Sequence, residues 1–390
     1  MTGCEVLEWA ASGGMNLTGH QGGPPSARPA AGFGLLARVC DAFARLTGVR
    51  ADPSTILTER ARLENLRRKG HVSANGKTRL IHAADGWCAI TLSRPDDLAA
   101  VPAIIGSPAV SDPWDALESA ARQMSATDLA ARVQLLGVPG AALPAAPPAG
   151  TATGCRTSRI APAGSVQLDG AVVADLSAMW AGPLCGQLLT RAGARVIKIE
   201  SATRQAGARG HRSFFNRLHA GQQQVVSDFG SRPGRAELAG LLRAADIVIE
   251  SSRPRALRQL GLAPEVVPHR EGQVWLSITG YGRGDPDKVA FGDDAAVAGG
   301  LVGRDDDGDP VFCADAIADP LSGVRGALAV AEAVAAGGGM LIDLSMRDVA
   351  AMFAAAPPEC DAEHPVLRAG FGWRAACSRL KQSQWVLPPC

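Results

Sequence analysis

The chain has 390 residues, is 46% hydrophobic and is close to electroneutral, with 39 basic and 38 acidic residues. That length suffices for two or three packed units, and the charge balance gives no reason to expect nucleic acid or a strongly charged surface as partner. Nine scattered cysteines without CxxC spacing indicate neither zinc nor a disulfide framework, and fit reduced thiols in a cytoplasmic protein. The first twenty residues lack a basic region and a long apolar run, which argues against a signal peptide. The most apolar later segment is broken by Arg325 and Glu332, which argues against a membrane span.

The chain opens Gly/Pro-rich, then LLARVCDAFARL (35–46) places Leu35, Leu36, Val39, Phe43 and Leu46 on one helical face, a core stripe. The basic run Arg60, Arg62, Arg67, Arg68 and Lys69, with Lys77 and Arg79 beyond, is explained most simply as a solvated helix face. His71 and His82 have no cysteine or carboxylate at ligand spacing, so no metal site is expected. TRLIHAADGWCAITL (78–92) reads as two strands around Asp85-Gly86. SATDLAARVQLLGVP (125–139) reads as a helix capped by Ser125 or Thr127 and stopped at Gly137. Residues 139–164, rich in Pro and small residues, read as a linker.

The second block alternates. Strands are expected at 171–177, 194–201, 246–251 and 273–282, and helices at 182–193 and 235–245. That alternation implies a parallel sheet with right-handed crossovers, with ligands beyond the carboxyl ends of its strands. Glu200 stands where a ribose-binding acid belongs, yet AMWAGPLCG is not G-x-G-x-x-G, so a dehydrogenase is disfavoured. No G-x-S-x-G elbow supports a serine hydrolase. In FCADAIADPLSGV (312–324), Asp319 precedes Pro320 and reads by itself as a helix cap. A carboxylate held ionised by a helix N-terminus also suits a nucleophile if water is excluded. Asp315 is assigned to solvent or to local hydrogen bonding.

VVADLSAMWAGPLCGQLLTRAGARVIKIES, DIVIESSRPRALRQLGL, VWLSITGYGRGDP, FGDDAAVAGGLVG and AIADPLSGVRGALAVAEAV follow one another over residues 170–350. Together they resemble the class III CoA-transferase family, which also holds acyl-CoA racemases and isomerases. The resemblance implies an α/β fold: a Rossmann-like parallel-sheet domain that binds CoA, plus a smaller α+β domain. It places the family's catalytic aspartate at Asp319, whose carboxylate attacks an acyl-CoA thioester on the way to an aspartyl-CoA thioester. CoA, a substrate rather than a resident cofactor, is expected over Gly182, Arg204, Ser251, Ser252, Arg253 and Gly280, with Arg204 and Arg253 as phosphate partners. The partners implied are acyl-CoA and a carboxylic acid, with neither nucleic acid nor membrane. Family members commonly form interlocked homodimers, so a homodimer is expected.

Residues 1–138 resemble the family's small domain and returning segment, so the blocks stand in reversed order, with 139–164 as linker and 165–355 as the catalytic domain. Residues 356–390 give no chemical signal. EWAASGGMNLTGHQGGPP also echoes the stretch before Asp319: pairing Gly13 with Gly299 (299 − 13 = 286) sets Phe33 opposite Asp319. Departures from the family pattern include Asp293 where racemases carry a histidine, Gln222 where a lysine is usual, and Ser251-Ser252 where Asn-Phe is common. The reading is a CoA-transferase moving CoA between carboxylic acids. Its alternatives are a racemase of the same family and a noncatalytic acyl-CoA-binding subunit.

Overall fold

A computed structural model describes residues 4–108, 111–149, 153–202, 207–358, 366–369 and 372–375. The first block runs α1 (Glu5–Ser12), α2 (Ala30–Thr47), α3 (Pro53–Leu63), β1 (Thr78–His82), β2 (Trp87–Thr91), α4 (Pro95–Ile105), α5 (Pro113–Ala121), α6 (Ala126–Leu135) and β3 (Gly140–Ala142). The helix starts follow local chemistry. Asp52 accepts the Thr55 N–H at 2.8 Å ahead of Pro53, and Ser125 accepts the Asp128 N–H at 3.0 Å. Leu36, Val39 and Phe43 are buried as expected, whereas Leu46 is 48% exposed and Leu35 half-buried, so the stripe on α2 is narrower than its spacing suggests.

The second block runs β4 (Cys155–Arg159), β5 (Val172–Asp175), α7 (Ala181–Arg191), β6 (Arg195–Ser201), α8 (Arg212–Leu218), β7 (Gln223–Ser227), α9 (Arg232–Ala244), β8 (Ile247–Glu250), α10 (Pro254–Leu260), β9 (Val274–Thr279), α11 (Gly292–Ala298), β10 (Gly303–Arg304), β11 (Pro310–Val311), α12 (Ala318–Ala335), β12 (Met340–Ser345) and α13 (Met346–Ala354). Seven strands form one sheet in the order β4-β12-β9-β8-β5-β6-β7, parallel throughout except for β4 on the edge. Side chains alternate between two covered faces, which is why the strands read as continuous apolar runs. Ile247 and Ile249 join the core under α7 and α12, while Val248 faces Leu238 and Leu242 of α9 on the other side.

Two strands lie where a linker was expected. β3 pairs with β2 and β4 with β12, so segments at both ends of 139–164 serve as edge strands. Residues 4–74 do not form a core with the rest of the first block. Trp9, Leu36, Phe43 and Leu57 pack in the same cluster as α7 and α12, whereas Ile81, Ile90, Leu117 and Leu129 make a separate small core. Past α13, Val366–Ala369 and Gly372–Ala375 pair as an antiparallel hairpin.

The internal echo has a structural counterpart. A short helix, an antiparallel bridge and an 18-residue helix recur as α1, Gly19↔Pro25 and α2, then as α11, β10–β11 and α12. Shifting α1 by 286 gives 291–298 against 292–298 for α11, and shifting α2 gives 316–333 against 318–335 for α12. The two long helices pack on each other. In either register Asp319 falls opposite Phe33 or Ala31, neither of which is a nucleophile.

Candidate active site

Four carboxylates converge where α11 meets the start of α12. Asp315 is fully buried, and both its oxygens are taken by Arg60, with Nε–Oδ2 at 2.6 Å and Nη2–Oδ1 at 2.5 Å. This corrects two expectations at once. Asp315 is not solvated, and Arg60 does not belong to a solvated face: its side chain is 13% exposed, with the guanidinium 4.7 Å over the Trp180 ring. Arg68 of the same run turns inward too, donating to the carbonyls of His20 and Gly23 at 2.9 Å.

The loop before α12 is bent around this pair. Ala314 and Ala316 flank Asp315 with left-handed backbone, φ 55° and 44°, which costs an L-residue about 1–2 kcal/mol each. Two hydrogen bonds hold the loop in that shape. The Ala314 N–H donates to Thr18 Oγ1 of the first block at 3.0 Å, and the Ala316 N–H to Asp293 Oδ1 at 3.0 Å. Asp319 is therefore not the cap. It is the second residue of α12, with Ile317 at the cap position and no side-chain capping bond.

Asp319 also departs from the expected fully ionised state. Burial pushes its carboxyl up to about 7, assisted by Asp293 and Asp315, while Arg60 and the Gly292 N–H pull the other way. Gly292 has to be glycine, since a Cβ would lie 2.3 Å from the Ala316 carbonyl oxygen and 2.5 Å from Asp319 Oδ2. Asp293 is pushed to about 6, first by burial and then by Asp315, although Asn75 and Thr78 donate to it at 3.2 and 3.3 Å. Burial takes Asp294 to about 8. Its Oδ1 accepts from the Phe291 N–H and Thr91 Oγ1, each at 3.0 Å, and its Oδ2 has no partner among the described residues. Of the four, Asp319 keeps the most accessible surface, 9% against 4% for Asp293 and none for Asp294 or Asp315.

Five of the six residues expected around CoA, Gly182, Ser251, Ser252, Arg253 and Gly280, follow the carboxyl ends of three adjacent strands, β5, β8 and β9. The Ser251 hydroxyl accepts the Ala178 N–H at 3.0 Å, which ties the β8 loop to the β5 loop. The Ser252 N–H donates to buried Glu250 at 2.7 Å, and Arg253 is half-buried at the start of α10. Gly182 and Gly280 serve packing: a Cβ on Gly182 would lie 2.1 Å from Ser177 Cβ, and one on Gly280 2.7 Å from Ala290 Cβ. Arg204 lies outside the described residues. Gln222 is engaged internally, its Oε1 accepting from His219 Nδ1 at 2.7 Å and its Nε2 donating to the Leu218 carbonyl at 3.3 Å. Sequence reasoning missed Arg60, Thr18 and Gly292; the run around Arg60 was visible, but nothing local marked that one arginine as buried.

A family model described as CoA-transferase family III matches residues 168–370, a little over half of the chain. The succinate–glutarate CoA-transferase of Agrobacterium fabrum is 31% identical over 206 residues, covering 47% of this chain and 51% of that protein. The α-methylacyl-CoA racemase of Homo sapiens is 28% identical over 117 residues, covering 30% of this chain and 29% of that protein. Among solved structures, a hypothetical protein from Mycobacterium tuberculosis aligns at 28% identity with a TM-score of 0.44, covering 48% of this chain and 57% of that one. The chain spans about half the length or less of these curated relatives.

Two outcomes follow from the cluster's electrostatics. Arg60→Met leaves Asp315 buried without its cation, so denaturant unfolding should show a loss of about 3–5 kcal/mol. An Arg60→Met/Asp315→Leu double variant should lose less than the single one, and additive losses would show that the pair is not coupled. The second outcome concerns pH. Asp293, Asp294 and Asp319 have raised pKa values, so between about pH 4 and pH 8 the folded chain retains protons that the unfolded chain has released. The stability they contribute is fully present below about pH 4 and is lost as pH rises through their folded values. Unfolding free energies measured across that range should fall less steeply for Asp294→Asn than for the parent.

Proposed function

The chain belongs to the CoA-transferase family III, and we propose that it moves CoA between carboxylic acids with Asp319 as nucleophile. The observation that carries this reading is that Asp319 has the most accessible surface of the buried carboxylates, with the Gly292 N–H and Arg60 favouring its ionised form. An Asp319 oxygen attacks the thioester carbonyl of acyl-CoA, the C–S bond breaks, and CoA leaves as thiolate, giving a mixed anhydride. The thiolate then attacks the aspartyl carbonyl, which releases the donor acid as carboxylate and leaves an aspartyl-CoA thioester. An acceptor carboxylate attacks that thioester, and the expelled thiolate attacks the acceptor's acyl carbonyl. The products are a new acyl-CoA and free Asp319, with no net consumption of water or protons. Water would hydrolyse the anhydride, so a buried nucleophile suits the chemistry.

CoA is proposed to lie across the ends of β5, β8 and β9, over Gly182, Ser251, Ser252, Arg253 and Gly280, with Arg204 as a further phosphate partner. A homodimer is proposed from the resemblance. A second reading has its own support. Racemisation needs an acid and a base near neutral pH, and aspartates at 293 and 294 can stand in for an imidazole only after a large shift. Burial supplies one, raising them to about 6 and about 8.

Two measurements test these readings. Intact mass after incubation with a panel of acyl-CoAs should show a CoA-bearing adduct that Asp319→Asn abolishes, while the variant's stability stays within about 2 kcal/mol of the parent. An undiminished transfer rate in Asp319→Asn would remove the nucleophile, and CoA binding without any adduct or turnover would favour a noncatalytic subunit. Transfer needs ionised Asp319, so its rate should rise with pH through about 7 and then level off. A bell-shaped profile, with deuterium taken up at the α-carbon of a 2-methylacyl-CoA and no adduct, would favour the racemase.

A further inference from the structure

Three segments remote in sequence meet beside the β10–β11 hairpin. His20 Nε2 lies 2.8 Å from Asp305 Oδ2, across 285 residues. The His20 ring stands edge-on to His71 with centroids 5.0 Å apart, and His71 packs on Trp87 at 4.6 Å. Backbone bonds lock the junction: the Gly70 N–H donates to the Gly19 carbonyl at 2.9 Å and the Phe312 N–H to the Gly70 carbonyl at 3.0 Å. Gly70 makes room for the imidazole, since a Cβ there would lie 2.1 Å from His20 Nδ1. Within this junction His71 Nε2 is shielded from solvent and has no hydrogen-bond partner among the described residues.

We propose that His20, His71 and Asp305 bind a divalent transition-metal ion, zinc being the best fit. One ligand atom from each side chain lies within 4.8 Å of the others. A zinc ion at about 2.0–2.1 Å from each would draw them to about 3.3 Å apart. His20 is 42% exposed and Asp305 15%, so both side chains have room to turn that far. Two imidazoles and a carboxylate suit zinc with water in the fourth position, whereas calcium and magnesium demand oxygen ligands. The carboxylate is already oriented. Asp305 Oδ1 accepts the Asp307 and Asp309 N–H groups at 3.1 and 2.8 Å, which leaves Oδ2 for the ion. The ion would pin the hairpin that leads into the Asp315–Asp319 loop against the first block, a structural role away from the reacting atoms.

The test is to treat the full chain with chelator, titrate it with Co²⁺ and then compete with Zn²⁺. The expected result is one Co²⁺ per chain with the visible absorption of a low-coordinate site, displaced by Zn²⁺, and a Tm raised by about 2 °C or more at saturation. Asp305→Asn keeps the acceptor for the two loop N–H groups and His71→Ala removes the shielded ligand. Each should weaken Co²⁺ binding by at least about 100-fold, more than an outer-shell change would. Asp305→Asn should leave the ion-free Tm unchanged, so its result stands even if His71→Ala does not fold. No cobalt spectrum at large molar excess, or binding that survives Asp305→Asn undiminished, would overturn the proposal.

Discussion

The candidate site depends on one ion pair. Arg60 comes from a helix of the first block and Asp315 from the loop before α12, and their bidentate contact is buried. Attraction between unit charges 4 Å apart is about 4 kcal/mol at an effective dielectric of 20. Desolvation costs several kcal/mol per ion, so such a pair is close to break-even as a source of stability. Its importance lies in what it positions. It holds Asp315 between two alanines in left-handed backbone, and it sets one guanidinium within electrostatic reach of both Asp319 and Asp293.

One cation beside three carboxylates leaves charge unbalanced if all three ionise. Asp315 takes the bidentate bond, and Asp293 and Asp319 hold protons to higher pH because burial and mutual repulsion outweigh their shares of Arg60. Chemically identical side chains thus differ by environment. Asp294, with one oxygen unpartnered among the described residues, is the most reluctant to ionise, and Asp319 keeps the most accessible surface of the four.

Much of the sheet was legible because its strands are buried on both faces. Ile247–Glu250 and Val274–Thr279 read as apolar runs, and the helices that precede them, α9 and α10, each carry Pro in the first turn. β7 was not, because Gln223 and Gln224 are exposed on an edge strand, nor was β4, whose Arg156–Arg159 face solvent. Asp319 was reached through its motif. Arg60, Thr18 and His20 were not, because their partners lie hundreds of residues away and no local pattern separates a buried arginine from its solvated neighbours. The cap reading of Asp319 failed for a related reason: the two left-handed alanines move the helix start forward, and nothing in Ala314 or Ala316 announces such backbone.

The 255 residues between Arg60 and Asp315 also set a timetable for biosynthesis. At about 5–20 residues per second, Asp315 is made on the order of 10–50 s after Arg60. Throughout that interval α1–α3 lack α12, the helix against which their core closes. The apolar face of α2 must therefore wait uncovered on the nascent chain, in the same stretch that carries the arginine.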